Sequence, residues 1–234
     1  MATAKAFTFH RVAYLGCDNV TNLEDFISGP YKHKKHLMKP GINSMESIYL
    51  QINQGGSDIH FMGGNYIMQD FQRGSMAEIK LKLRALISCG KAHTVLVDPG
   101  VEWVDHHKLD IDACVDEYLG LAGWMINRGA KEVVLYLPVQ PAPNCKPNRA
   151  MDHKELVFNI RTFNSRIRSR KARGDVLDNI ILTHHAVLDD WAAYLSDGVS
   201  PRFQEWDKHT RKYVEGLKSE IIRSKTRLRP QFWK

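Results

Sequence analysis

The chain has 234 residues, 43% of them hydrophobic and 25% charged, with a formal net charge of +7. These are ordinary globular values that allow one large domain with a substantial core, and they exclude a disordered or collagen-like chain. No apolar run approaches the roughly 18 to 20 residues of a membrane span, and MATAKAFTFHRVAYLG offers no separate apolar segment ahead of a small-residue cleavage site, so a cytoplasmic or nuclear protein without a membrane partner is expected.

Residues 11–15, RVAYL, form an apolar run ending at Gly16, the pattern of a buried strand entering a turn. Residues 45–52 and 58–62 are candidate short strands divided by the turn signal Gln54-Gly55-Gly56. Met76, Ile79, Leu83, Leu86 and Ile87 recur at helical spacing, and HTVLVDPG then gives a second clear strand. A helix with Val115, Tyr118, Leu119, Ala122, Met125 and Ile126 on one face is expected to end at Gly129. KEVVLYLPV is the third clear strand and NIILTH the fourth, with a helix striped by Leu156, Ile160, Phe163 and Ile167 between them. A closing helix carries Trp206, Thr210, Tyr213, Leu217 and Ile221. Continuous apolar strands alternating with helices predict an α/β protein with a mostly parallel sheet buried on both faces. One domain over residues 1–234 is expected, with a basic tail from about residue 223.

In such folds ligands sit past the carboxyl ends of the strands. The segments of interest are therefore Gly16 to Asn19, Asp98 to Trp103, Pro138 to Asn144, and His184 onward. Cys17, Cys89, Cys114 and Cys145 lie far apart, without metal-finger spacing, and read as free thiols. His106 and His107, beside Asp105 and Asp110, do not by spacing alone make the three or four ligands a metal needs, so no metal or cofactor is expected.

The charge is segregated. Residues 31–39 carry +4, residues 161–173 carry +6 and residues 208–234 carry +7, which leaves −10 for the rest, much of it in 98–117. Arg161, Arg166, Arg168, Arg170, Lys171 and Arg173, with Arg223, Lys225, Arg227 and Arg229, are candidate contacts to nucleic-acid phosphates. The other reading of the same residues is that long basic side chains solvate exposed helix faces. Phe232 and Trp233 could stack on bases or dock on a protein partner.

The order and spacing of short motifs resemble the SGNH (GDSL-type) hydrolases across nearly the whole chain. That resemblance implies a three-layer α/β/α sandwich with a flavodoxin-like sheet. Gly16-Cys17-Asp18 stands where the family has Gly-Asp-Ser, which puts Asp18 at the nucleophile position. Gly63-Gly64 suits the oxyanion-hole glycine, with Gly64 as the matching residue. Glu102 occupies the place of the family's Asn, while a competing register puts Asn65 there. Asp197-Gly198-Val199-Ser200 matches the closing Asp-x-x-His block, with Ser200 in place of the His.

An ionised Glu only accepts hydrogen bonds and would repel a developing oxyanion. A Ser hydroxyl needs a base, and the base needs a carboxylate to orient it. The sequence therefore reads as a hydrolase-like domain that has lost catalysis and binds a macromolecule, with RNA or another polyanion fitting the basic segments. The alternative is an acyl esterase with Cys17 or Ser200 as a relocated nucleophile and His184 or His185 as its base.

Overall fold

A computed structural model describes residues 10–16, 23, 57–62, 77, 80, 81, 83, 84, 87, 92–101, 103, 104, 110–143, 152–186, 203 and 207–232. The strands are β1 His10–Gly16, β2 Ser57–Met62, β3 Thr94–Asp98, β4 Glu132–Tyr136 and β5 Ile180–Thr183. The helices are α1 Ile111–Asn127, α2 His153–Ala172 and α3 Lys208–Phe232. The strands lie in the order β2-β1-β3-β4-β5, every pairing parallel, so their carboxyl ends share one edge.

The continuous apolar strands arise because helices cover both faces of the sheet. On one face Ala13, Leu15, Val95, Val97, Val133 and Leu135 meet α1 and α2 through Tyr118, Met125, Ile160 and Phe163. Leu83 and Ile87, both in helical residues, join this core. On the other face Val12, Tyr14, Leu96, Val134 and Tyr136 meet α3 through Tyr213, Val214, Leu217 and Ile221. Helix, sheet and helix make the α/β/α sandwich.

Each helix carries a readable start signal. Asp110, Asp152 and Asp207 accept the backbone N–H of Ala113, Glu155 and Thr210, satisfying donors that the first turn leaves open. Asp110 is thus engaged as a helix cap. Gly129, at φ +110°, adopts the left-handed conformation expected after α1. Residues 223–232 continue α3 rather than forming a separate tail. The 45–52 segment lies outside the described residues.

The two faces differ along the strand direction. The buried strand residues named on the α1/α2 face are all apolar, whereas those on the α3 face are apolar only in the middle. His10, Thr94 and Glu132 open their strands there, and Tyr14, Asp98 and Tyr136 lie toward the other ends. Tyr213 meets Asp98 at the end of β3 and Ser224 meets Thr94 at its start, so α3 runs antiparallel to the strands.

Candidate active site

Asp98 ends β3, paired in register with Gly16 of β1. Its side chain is 1% exposed and so has no water shell. Protein donors replace that shell. Oδ2 accepts from Tyr14 Oη at 3.0 Å, from Tyr213 Oη at 3.1 Å and from His185 Nε2 at 2.9 Å. Gly100, at φ +63°, turns the chain so that its N–H faces Oδ1 at 3.4 Å. A side chain at that position would strain the turn.

His185 follows β5 by two residues, and its side chain is 5% exposed. Its ring is stacked between Tyr136 at 4.4 Å and Tyr213 at 4.6 Å, with interplanar angles of 14° and 15°. Both ring faces are covered, so the imidazole can offer chemistry only at its edge. An imidazole that donates Nε2–H to a carboxylate carries its lone pair on Nδ1.

Phe203 packs edge-on against Tyr213 at 4.9 Å. Burial, and then the Asp98 charge, hold the phenols of Tyr14, Tyr213 and Tyr136 well above the usual tyrosine range. Tyr14 and Tyr213 therefore remain donors to Asp98. The assembly is an imidazole fixed by a buried carboxylate at the edge where this fold class binds ligands.

Of the residues expected from the sequence, His185 lies in this cluster. His184 is exposed beside it and pairs with Arg168. Cys17, Asp18, Gly64, Asn65, Glu102, Asp197 and Ser200 lie outside the described residues. Asp98 opens one of the segments of interest and is the one charge closing the apolar run TVLVD, whereas Tyr14, Tyr136 and Tyr213 read from sequence only as strand and helix core residues.

Many of the candidate phosphate-binding cations have partners within the fold. Arg227 makes a two-point contact with Glu132, including Nη2 to Oε1 at 2.9 Å, and reaches Glu220 at 2.8 Å. Arg223 stands 3.5 Å from Glu220. Arg170 pairs with Asp116, Arg166 with Asp112 at 3.5 Å, and Arg173 with Asp175 at 2.9 Å. Lys171 donates to the carbonyl oxygens of Leu177 and Asp178. The side chain of Arg229 lies outside the described residues.

No protein-family model and no curated protein sequence matches the chain. Solved structures do match. A GDSL-like lipase from Bacteroides thetaiotaomicron superposes with a TM-score of 0.56 at 14% identity, covering 92% of this chain and 88% of the lipase. The chain has the SGNH-hydrolase fold. An acetyl esterase variant crystallised with an acetate ion shares that fold at a TM-score of 0.52 and 13% identity, over 94% of this chain and 99% of the esterase. In the SGNH fold found here, the His185–Asp98 cluster with its three tyrosines lies toward the carboxyl edge of the sheet.

Proposed function

We propose that the chain hydrolyses acyl esters, with His185 as the general base and Asp98 as the carboxylate that orients it. One observation carries this reading: the 2.9 Å contact between His185 Nε2 and Asp98 Oδ2 at the carboxyl edge of the sheet. It supplies the imidazole–carboxylate unit that the closing motif lacks at Ser200. Likeness to a lipase and an acetyl esterase supports the same reaction class.

Cys17 is the nucleophile to test first, because it directly follows Gly16, the register partner of Asp98. In the first step the thiol adds to the ester carbonyl as His185 Nδ1 takes its proton, and the alcohol leaves with that proton. In the second, water gives a proton to His185 and its oxygen to the acyl carbon, which releases the acid and restores the thiol.

The competing reading is an SGNH-fold domain that no longer hydrolyses and only binds RNA. It rests on Asp18, Glu102 and Ser200 standing at the nucleophile, amide and histidine positions. The experiment is turnover of short p-nitrophenyl esters by the full chain and by His185→Gln, Cys17→Ala and Ser200→Ala. Loss of a positioned base is expected to cost about 10²- to 10⁴-fold in kcat/KM. Cys17→Ala is expected to abolish the burst of product, and Ser200→Ala to leave it intact. Turnover that is absent in the parent, or indifferent to His185→Gln, would reject the hydrolase and leave the binding reading.

A further inference from the structure

The arginines of residues 161–173 sort into two sets according to what they meet. Arg166 and Arg170 reach carboxylates on α1, and Arg173 reaches Asp175, so those charges are balanced within the fold. Arg161 and Arg168 meet neutral acceptors instead: Gln140 Oε1 at 3.3 Å and His184 Nε2 at 2.9 Å. A neutral acceptor orients a guanidinium without cancelling its charge. Burial, and then the Arg168 and His185 charges, shift His184 toward its neutral form.

The second set occupies one side of the helix. Phe158, Arg161, Ser165 and Arg168 fall at i, i+3, i+7 and i+10, and all four are exposed. Phe158 is 67% exposed, a large apolar ring standing in water at the N-terminal end of the stripe. Glu155 and the balanced arginines lie on the other side of Phe158 by helical spacing. Gln140 and His184 follow β4 and β5, so the stripe borders the carboxyl edge of the sheet.

We propose that the Phe158–Arg161–Ser165–Arg168 stripe of α2 is a docking track for single-stranded nucleic acid, with backbone phosphates on the two guanidiniums and a base stacked on Phe158. The ring decides between polyanions. An acidic peptide would satisfy the arginines but leave the aromatic face uncovered, whereas every base carries a π-face to lay on it. From Phe158 to Arg168 the stripe runs about 15 Å, at about 1.5 Å of rise per residue. This assignment does not depend on the hydrolase reading.

The test is fluorescence anisotropy of the full chain with a labelled single-stranded RNA of about a dozen nucleotides, within the site sizes such surfaces take, at about 50 mM and about 200 mM salt. Parent binding is expected to weaken with salt. The double change Arg161→Gln and Arg168→Gln should lower the salt slope by about 1.4, since each phosphate contact on a single strand is worth about 0.7. Phe158→Ala should weaken binding about tenfold, while Phe158→Tyr should retain it.

The control removes the same charge elsewhere, through Arg166→Gln and Arg170→Gln, and should leave affinity near that of the parent. Phe158, Arg161, Arg166 and Arg168 are exposed and Arg170 is partly so, and an unchanged melting curve verifies the fold of each variant. Equal weakening by both arginine pairs, indifference to Phe158→Ala, or no binding at low salt would each overturn the assignment.

Discussion

Gly216 shows how a single hydrogen atom in place of a methyl group can set a site. It lies within α3, where a glycine costs up to about 1 kcal/mol relative to alanine. The reason is the segment that carries His185. A Cβ at Gly216 would lie 2.6 Å from Ala186 Cβ and 3.5 Å from Ala186 N. Gly216→Ala is therefore expected to destabilise the fold despite its better helix propensity, because overpacking costs about 1–3 kcal/mol. A lower urea midpoint would show it, and adding Ala186→Gly should recover most of the loss, as expected for two residues in contact. If Gly216→Ala alone raised the midpoint, the close approach of α3 to residue 186 would not be what positions His185. Such contacts are hidden in sequence. Gly216 and Ala186 lie 30 positions apart, and the three side-chain donors on Asp98 Oδ2 come from residues 14, 185 and 213. The local pattern revealed that His185 follows a strand; it could not reveal that Asp98 would meet it.

At the scale of elements, the alternation of strands and helices was legible because each strand is a continuous apolar run. The helical stripes at Leu156, Ile160, Phe163 and Ile167 and at Tyr213, Leu217 and Ile221 face the core as their spacing implied. The polar ends of the α3 face were less legible. In sequence, a His, Thr or Glu at a strand's first position looks like the edge of a loop. In the fold those positions hold α3 by polar contacts. Glu132 and Glu220, 3% and 5% exposed in their side chains, share the guanidinium of Arg227, which is itself 34% exposed. Positive charge near the C-terminus reads naturally as a polyanion contact, yet here it offsets two buried carboxylates. Arg227→Ala is expected to cost about 3 kcal/mol, the low end for breaking a buried pair because the guanidinium is partly solvated. Arg227→Lys should recover only part of that, since an ammonium cannot reproduce the two-point contact with Glu132. Chemical denaturation of the two variants measures both effects, and stability unchanged in Arg227→Ala would mean that water already serves the carboxylates.

For the whole molecule, this same polar end of the α3 face makes stability depend on pH. His10 opens β1 and is 2% exposed. Its Nε2 lies 2.9 Å from Thr94 Oγ1 and 3.3 Å from Ser224 Oγ, joining β1, β3 and α3. Burial, then the nearby His93, Lys225 and Arg227 charges, lower its pKa from 6.5 to about 4. The imidazole is neutral in the fold and can accept from a hydroxyl. Above pH 6.5 neither the folded nor the unfolded chain holds a proton there, and the contribution to stability is complete. Between 6.5 and 4 the unfolded chain takes a proton that the fold refuses, so stability falls as the pH falls. Below 4 both states carry it and the loss is complete, on the order of 3 kcal/mol at roughly 1.4 kcal/mol per pH unit. His93, lowered chiefly by burial, and His184 act with the same sign, so His10 accounts for part of the slope. His10→Gln keeps a polar group near the two hydroxyls but cannot titrate. It should lower stability at pH 7 while flattening the decline between pH 6.5 and pH 4, as read from urea midpoints across that window. A variant with the parent's slope would mean that the imidazole takes its proton inside the fold, with the hydroxyls of Thr94 and Ser224 turning from donors to acceptors to receive it.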